Sequence, residues 1–416
     1  MYRPWTFRWL LTLPLFLTIL QPASTLAGTG SLGPIDRQYF GLHIHRAAST
    51  TPWPSIPFGA WRLWDARITW ADLEPQPGAW DFTSLDRLVE LAGKNGVEVL
   101  LPLGMTPTWA SARPADHSYY GPGRSAEAKN IDDWRNYVRT VAGRYKGRVK
   151  VYEIWNEPNL KGFFSGTPAR MVELAAAAFA ELKKVDPNIT VLSPSSGAGA
   201  SHGGPAWLEA YLKAGGGRYA DVISYHFYVL PEPPEKVLPL IAEIRQILTR
   251  YGVEKKPLWN TEMGWSIIGA KNPPNQGVLD EETAAAYLAR AFLLNRAAGV
   301  ERLYWYAWDN YLMGLASADG QTVKKAPAAA YAQMVNWLTG ARLLGCGLES
   351  DGNWVCRLER GSGDEAHILW STEMGGWELP SDWKGAAATD LTGRRWKLPT
   401  RSLAVGISPI LLEPAQ

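Results

Sequence analysis

Two glutamates stand where a carboxylate is costly unless it is used. The first lies in Tyr152-Glu153-Ile154-Trp155-Asn156-Glu157-Pro158-Asn159, an apolar run ending in an amide, an acid and a strand-stopping proline. The second closes Leu258-Trp259-Asn260-Thr261-Glu262-Met263-Gly264-Trp265. Two carboxylates in unequal environments suit glycosidic bond cleavage. One arrives protonated and donates to the leaving oxygen; the other arrives ionised and attacks the anomeric carbon. Carboxyl groups about 5–5.5 Å apart give retention of configuration. On this reading Glu157 is the acid/base, Glu262 the nucleophile, and Asn156 the holder of the sugar 2-hydroxyl.

Something must bring these residues together, because 262 − 157 = 105 positions separate the two acids. Eight short apolar runs recur along the chain, at 39–45, 61–64, 97–104, 149–157, 190–194, 221–228, 256–262 and 302–308. Their Val, Ile, Leu, Trp and Tyr content suits parallel strands buried on both faces. The stretches between them read as amphipathic helices. Thr83 is the expected cap of a helix stopping at Gly96, Asp132 of a second, and Thr167-Pro168 opens a third. Helices at 281–298 and 327–338 complete the series. This alternation predicts an α/β fold, a (β/α)8 TIM barrel over residues 35–338. A doubly wound open sheet is the competing fold, but no phosphate-binding glycine fingerprint follows the first run. Three β/α units then separate the two acids, which face each other across one barrel mouth. Glu153 precedes Glu157 by four and is read as a paired structural acid in a lower layer.

Past Thr339 the texture changes to short runs between Gly, Asp, Ser and Pro turns, which predicts a small β-sandwich-like domain over 339–416. Cys346 and Cys356 flank Asp351-Gly352, a hairpin-turn signal, so an antiparallel pairing brings them together as a disulfide. At the other end, Arg3 and Arg8 precede an apolar stretch over 9–20 and small residues at Thr25-Leu26-Ala27. Residues 1–27 therefore read as a signal peptide, or as an uncleaved N-terminal anchor, and predict a periplasmic or secreted protein. The apolar stretch is short against the about 20 residues of a bilayer span.

The segments Trp155-Asn156-Glu157-Pro158 and Trp259-Asn260-Thr261-Glu262 resemble the acid/base and nucleophile motifs of clan A glycoside hydrolases, most closely those of family 39. The resemblance implies retaining β/α-barrel enzymes with the two Glu after strands four and seven. That family includes xylosidases, iduronidases and bacterial endoglycosidases encoded beside exopolysaccharide genes; a lone barrel with a compact β tail looks most like the last. Tyr225-His226-Phe227-Tyr228 resembles the clan's sixth-strand segment, which implies that His226 or Tyr228 hydrogen-bonds near the nucleophile. At the same mouth, Arg62 is expected to pair with Glu262 and keep it ionised. Trp305 and Trp308 are expected to floor the sugar subsite, with Trp109 and His45 as further substrate-binding candidates.

Composition narrows the alternatives. A net charge of +2 without a long Lys/Arg run offers nothing to nucleic acid. The 21 Trp and 17 Tyr against 10 Phe suit platforms for sugar rings. The partner expected is therefore a polysaccharide or oligosaccharide, bound by a monomer. His43-Ile44-His45 resembles a metal pair on a first barrel strand, with His226 and Asp309 as further ligands. The fifth run carries no His, so no metal or other cofactor is expected. An exo-acting, xylosidase-like enzyme and, from another class, a non-catalytic carbohydrate-binding barrel are the competing functions.

Overall fold

The computed structural model describes residues 25–26 and 32–414, apart from 270–272, 276, 362, 380–382, 384–385 and 399–401. Of the signal peptide or anchor expected over 1–27, residues 1–24 and 27 lie outside the described residues. Among the described residues, no helix is long and apolar enough to cross a membrane.

Eight parallel strands are present: β1 (Phe40–Leu42), β2 (Ala60–Arg62), β3 (Glu98–Leu103), β4 (Val151–Ile154), β5 (Thr190–Leu192), β6 (Ile223–His226), β7 (Leu258–Met263) and β8 (Arg302–Trp305). Each overlaps one of the apolar runs, with Ala60 and Met263 just outside theirs. A short continuation of the fifth strand, Ser196–Gly197, pairs with β6, while β5 itself pairs with β4. Single bridges Leu192↔Val222 and Asn156↔Ser195 complete the ring, so the sheet closes on itself. The bottom of the barrel is plugged by Ala60, Leu100, Val151, Leu192, Val222, Trp259 and Tyr304. These residues fix the phase of each strand, because side chains alternate between the inside and the helix layer.

Helices α1 (Trp70–Leu73), α2 (Thr83–Lys94), α3 (Ile131–Arg144), α4 (Pro168–Val185), α5 (Gly204–Lys213), α6 (Val237–Arg250), α7 (Glu281–Ala297) and α8 (Lys325–Leu338) surround the sheet. α2 shows why they form: Leu85, Leu88, Val89 and Ala92 recur at helical spacing and are all buried. Each such leucine contributes roughly 1.5–3 kcal/mol by leaving water. Thr167 caps α4 through the N–H of Arg170, as its spacing predicts. Elsewhere the caps shift by a residue or two: Asn130, not Asp132, caps α3, and Thr83 is the first residue of its helix. A larger departure from eight strand–helix units lies between β1 and β2. Residues 43–59 form no helix there. Pro52, Pro54 and Pro57 remove the N–H groups a helix needs.

After α8 come β9 (Arg342–Leu348), β10 (Asn353–Arg360), β11 (Asp364–Ser371), β12 (Gly375–Glu378), β13 (Ala387–Thr389), β14 (Arg395–Lys397), β15 (Ser402–Val405) and β16 (Ile410–Glu413). Six of these form an antiparallel sheet in the order β9-β10-β11-β16-β13-β14, with Thr25–Leu26 added beyond β9. β12 and β15 make a separate ribbon. Val355, Leu369, Trp377, Leu403, Val405 and Leu412 pack between sheet and ribbon, giving the sandwich its own core. Cys346 sits opposite Cys356 in the β9–β10 ladder, and the two form a disulfide. Trp370 on β11 donates to Glu235 (2.9 Å), which also holds Arg290 of α7, so the sandwich is pinned to the barrel flank.

Candidate active site

Strict alternation would not bring both glutamates inward. On β7, Trp259 and Thr261 point into the barrel, while Asn260 points out and hydrogen-bonds Asn295 of α7 (3.0 Å). The β7–β8 register then slips: Leu303 faces Asn260, but Trp305 faces Met263. Two residues of β7 thus oppose Tyr304 alone. This bulge turns Glu262 to the same side as Thr261. On β4, Glu153 points inward by alternation. The chain then takes left-handed backbone at Trp155 (φ 67°) and Glu157 (φ 41°). Trp155 is thrown outward, its indole donating to the Phe163 carbonyl at 2.8 Å. Asn156 and Glu157 are left facing the mouth. Bulky residues with positive φ are costly, and all six of the described ones (Asp65, Arg67, Met105, Trp155, Glu157, Ala198) follow the C-terminal ends of β2 to β5.

Arg62 organises the inside. It is wholly buried and reaches Glu153 (Nε, 2.7 Å), Glu262 (Nη1, 2.9 Å) and the amide oxygen of Asn156 (Nη2, 2.7 Å). Thr261 donates to the other oxygen of Glu153 at 2.7 Å, so Glu153 is the paired structural acid of the lower layer. Glu262 has a second donor in Tyr228 (3.0 Å), whose hydroxyl burial keeps protonated. Glu157 faces His226, with Nδ1 at 3.0 Å from its carboxyl oxygen. The same nitrogen lies 4.0 Å from Glu262. Of the two residues expected beside Glu262, Tyr228 makes the contact, whereas His226 faces Glu157. Oxygens of Glu157 and Glu262 and a nitrogen of His226 lie within 4.8 Å of one another. That carboxylate spacing is short of the about 6.5–9.5 Å of inverting enzymes and suits retention.

Burial governs the electrostatics. It pushes Glu157 up to about 7 and Glu262 up to about 7, with mutual repulsion adding to the latter. Two such groups hold one proton between them near neutrality. Arg62 and Tyr228 both donate to Glu262, which favours the charge there and the proton on Glu157. His226 is pushed down to about 4 by burial and is neutral.

The remaining expectations divide. Asn156 sits in the mouth with its NH2 group buried and unpartnered, a donor available to a hydroxyl. His45 is also there, its ring 5.1 Å from Tyr306 and its Nε2 unpartnered. Trp305 does not floor the site. It points into the helix layer and stacks on Trp265 at 5.9 Å. Trp308 is likewise sealed in the main core. The aromatic residue of this strand end that reaches the mouth is Tyr306, in phase with the inward Tyr304 and half-buried. Side-chain alternation, rather than size, was the signal for it. Trp109 is turned to the chain after β2, its indole donating to the Glu74 carbonyl (2.9 Å) and its ring abutting Trp70. Asp309 accepts from the backbone of His45 (2.6 Å) and Arg46 (2.9 Å) and from Thr51, so its oxygens pin the first loop.

Two residues outside the expected set shape the acid side. Asn159 ties the loop after β5 to the motif, accepting from Gly197 N–H (3.0 Å) and donating to the His202 carbonyl (3.0 Å). Gly197 leaves room for the acid: a Cβ there would lie 2.9 Å from a Glu157 carboxyl oxygen and 3.0 Å from the His226 Cβ, so a larger residue would push the Glu157 side chain aside. Beyond this point a cavity of about 710 Å³ opens from Glu157, lined by Gly199, His202, Leu230, Lys236 and Met313 among others.

Comparison with known proteins agrees with this geometry. The family model "Glycosyl hydrolases family 39" matches residues 60–298, a span containing both glutamates, Arg62, His226 and Tyr228. A β-xylosidase of Geobacillus stearothermophilus is 25% identical over 240 residues, 51% of this chain and 45% of that protein. The chain thus spans about half the length of that curated relative. Among solved structures, a family 39 glycoside hydrolase from the gut symbiont Bacteroides cellulosilyticus WH2 superposes with a TM-score of 0.71. Its identity is 21%, over 91% of this chain and 81% of that one. A family 39 β-xylosidase from Caulobacter crescentus gives 0.66 at 19% identity, over 93% and 98%. These structures share the barrel fold with its β domain.

Proposed function

This chain belongs to the glycosyl hydrolases of family 39, and we propose that it cleaves the glycosidic bonds of a polysaccharide with retention, acting endo on a bacterial exopolysaccharide. The observation that carries the reading is the pair of facing carboxyls within 4.8 Å, one ion-paired to Arg62 and the other not. Glu262 attacks the anomeric carbon while the Glu157 O–H passes its proton to the departing oxygen, leaving a glycosyl ester. Water then enters on the Glu157 side. Glu157 removes its proton as the ester breaks, and both acids return to their starting states. Asn156 supplies a hydrogen bond to the 2-hydroxyl that strengthens as the oxocarbenium character grows.

The cavity beside Glu157 supports endo action, because a long leaving group finds room between the loops after β5 and β6. The β-xylosidase name of the Geobacillus relative favours a second reading, an exo-acting enzyme on the same machinery. The reading further holds that the protein is exported and acts as a monomer; the Cys346–Cys356 disulfide suits an oxidising compartment. Wild type, assayed on exopolysaccharides and aryl glycosides, should release oligosaccharides of retained configuration. Monosaccharide products alone would favour the exo reading, and binding without cleavage would favour a carbohydrate-binding barrel.

A further inference from the structure

The mouth divides into two arcs. The loops after β4, β5 and β6 line the cavity beside Glu157, where the leaving group sits. The opposite arc is built from the ends of β8, β1, β2 and β3, and must hold the sugar whose bond is cut. That arc carries a third carboxylate. Asp65 follows β2 in left-handed backbone (φ 59°), half-buried. Tyr306 donates to one of its oxygens (2.6 Å) and Tyr120 to the other. The Tyr306 ring lies 5.1 Å from the rings of both His43 and His45. Asp65 is thus tied through Tyr306 to the end of β1, and it follows by three residues the Arg62 that holds Glu262. Two phenols fix its plane but occupy only part of a carboxylate's capacity of about four acceptor sites. The free lone pairs meet hydroxyls well. They repel a second carboxylate. Of the cations on this arc, Arg67 is exposed, and Arg113 and Arg124 are ion-paired to Glu127 and Asp72. Arg62 is engaged by Glu153 and Glu262, and Arg46 donates to the carbonyls of Asp309 and Ala318.

We propose that Asp65, oriented by Tyr120 and Tyr306, determines the specificity of this arc: it accepts hydroxyls of a neutral pyranose and excludes uronosyl residues. The proposal rests on the glycosidase reading, and its test separates the two. kcat/KM is measured for 4-nitrophenyl β-xyloside, β-glucoside and β-glucuronide, and binding of a xylose-configured iminosugar is measured by titration calorimetry. Wild type should prefer neutral sugars. Asp65→Asn keeps the shape and suits left-handed backbone. It should lose about 10–100-fold on the neutral substrates and in iminosugar binding, the scale of one charged hydrogen bond. It should also narrow the neutral-to-uronide ratio at least about tenfold. Tyr306→Phe, which frees one oxygen without removing the charge, should lower neutral-sugar binding while leaving the uronide excluded. Should glycosides be cleaved with a ratio unmoved by Asp65→Asn, the specificity role is overturned and the hydrolase reading stands. Iminosugar binding that depends on Asp65 without any cleavage keeps the role and overturns the hydrolase reading. Equal binding by wild type and Asp65→Asn overturns the role whatever is cleaved.

Discussion

The ends of β4 and β7 both deliver a glutamate to one point, but they are built differently. At β7 a bulge within a continuous strand turns Glu262 inward, onto a buried guanidinium and a phenol. At β4 two left-handed residues end the strand, and Glu157 meets a neutral imidazole beside an open cavity. The difference suits the roles proposed for the two acids. A nucleophile has to stay charged in a site where burial opposes charge, so it needs fixed donors. An acid/base has to gain and lose a proton to solvent and substrate in each cycle. Strong donors would pin it in one state.

The largest expected effect strikes the β7 side. Glu262→Gln should reduce turnover of every glycoside to background, because no other group can form the ester. Substantial activity in this variant would reverse the assignment of the two acids. Glu157→Ala should fall by roughly 10²–10⁴-fold on substrates with poor leaving groups. It should fall far less with dinitrophenyl leaving groups, and azide should restore rate by giving a glycosyl azide. Equal losses on both substrate classes would deny Glu157 the role of proton donor.

A smaller effect tests why Glu262 stays charged. kcat/KM should fall on both sides of neutrality: in acid as Glu262 gains a proton, in alkali as Glu157 loses its own. Tyr228→Phe removes a donor to the anion, so the acid limb should move up by roughly half to one pH unit. An alkaline limb that moves instead would tie Tyr228 to Glu157.

The smallest effect is on stability. Burial raises Glu157 from 4.5 to about 7, so folding takes up protons and stability falls as pH rises between those values. Glu157→Gln removes that penalty. Its melting temperature at pH 8 should exceed wild type by roughly 1–3 °C, and the gain should vanish near pH 4. A variant less stable at pH 8 would mean that the Glu157 charge is compensated in the fold.

Much of this was legible before any coordinates. Buried parallel strands are apolar throughout, so the eight runs stood out, and a barrel places all their C-terminal ends on one face. Glu157, Glu262, Arg62 and Glu153 were legible as residues at or near those strand ends, though the bulge that turns Glu262 inward was not. What stayed hidden depended on phase and on irregular backbone. Trp305 and Trp308 have the bulk to floor a subsite, yet alternation from Tyr304 puts Tyr306 at the mouth. Asp65 and Tyr120 lie in loops without periodicity, and nothing in their neighbours announces a left-handed residue. The missing helix after β1 was recorded in three prolines that the alternating pattern overrode.

The most direct test of the central claim is to trap the ester. Wild type incubated with a 2-deoxy-2-fluoro glycoside carrying a good leaving group should gain the mass of one fluorosugar. Peptide mapping should then place that mass on the segment containing Glu262. A label on the Glu157 segment, or turnover with inverted configuration and no covalent adduct, would contradict the account.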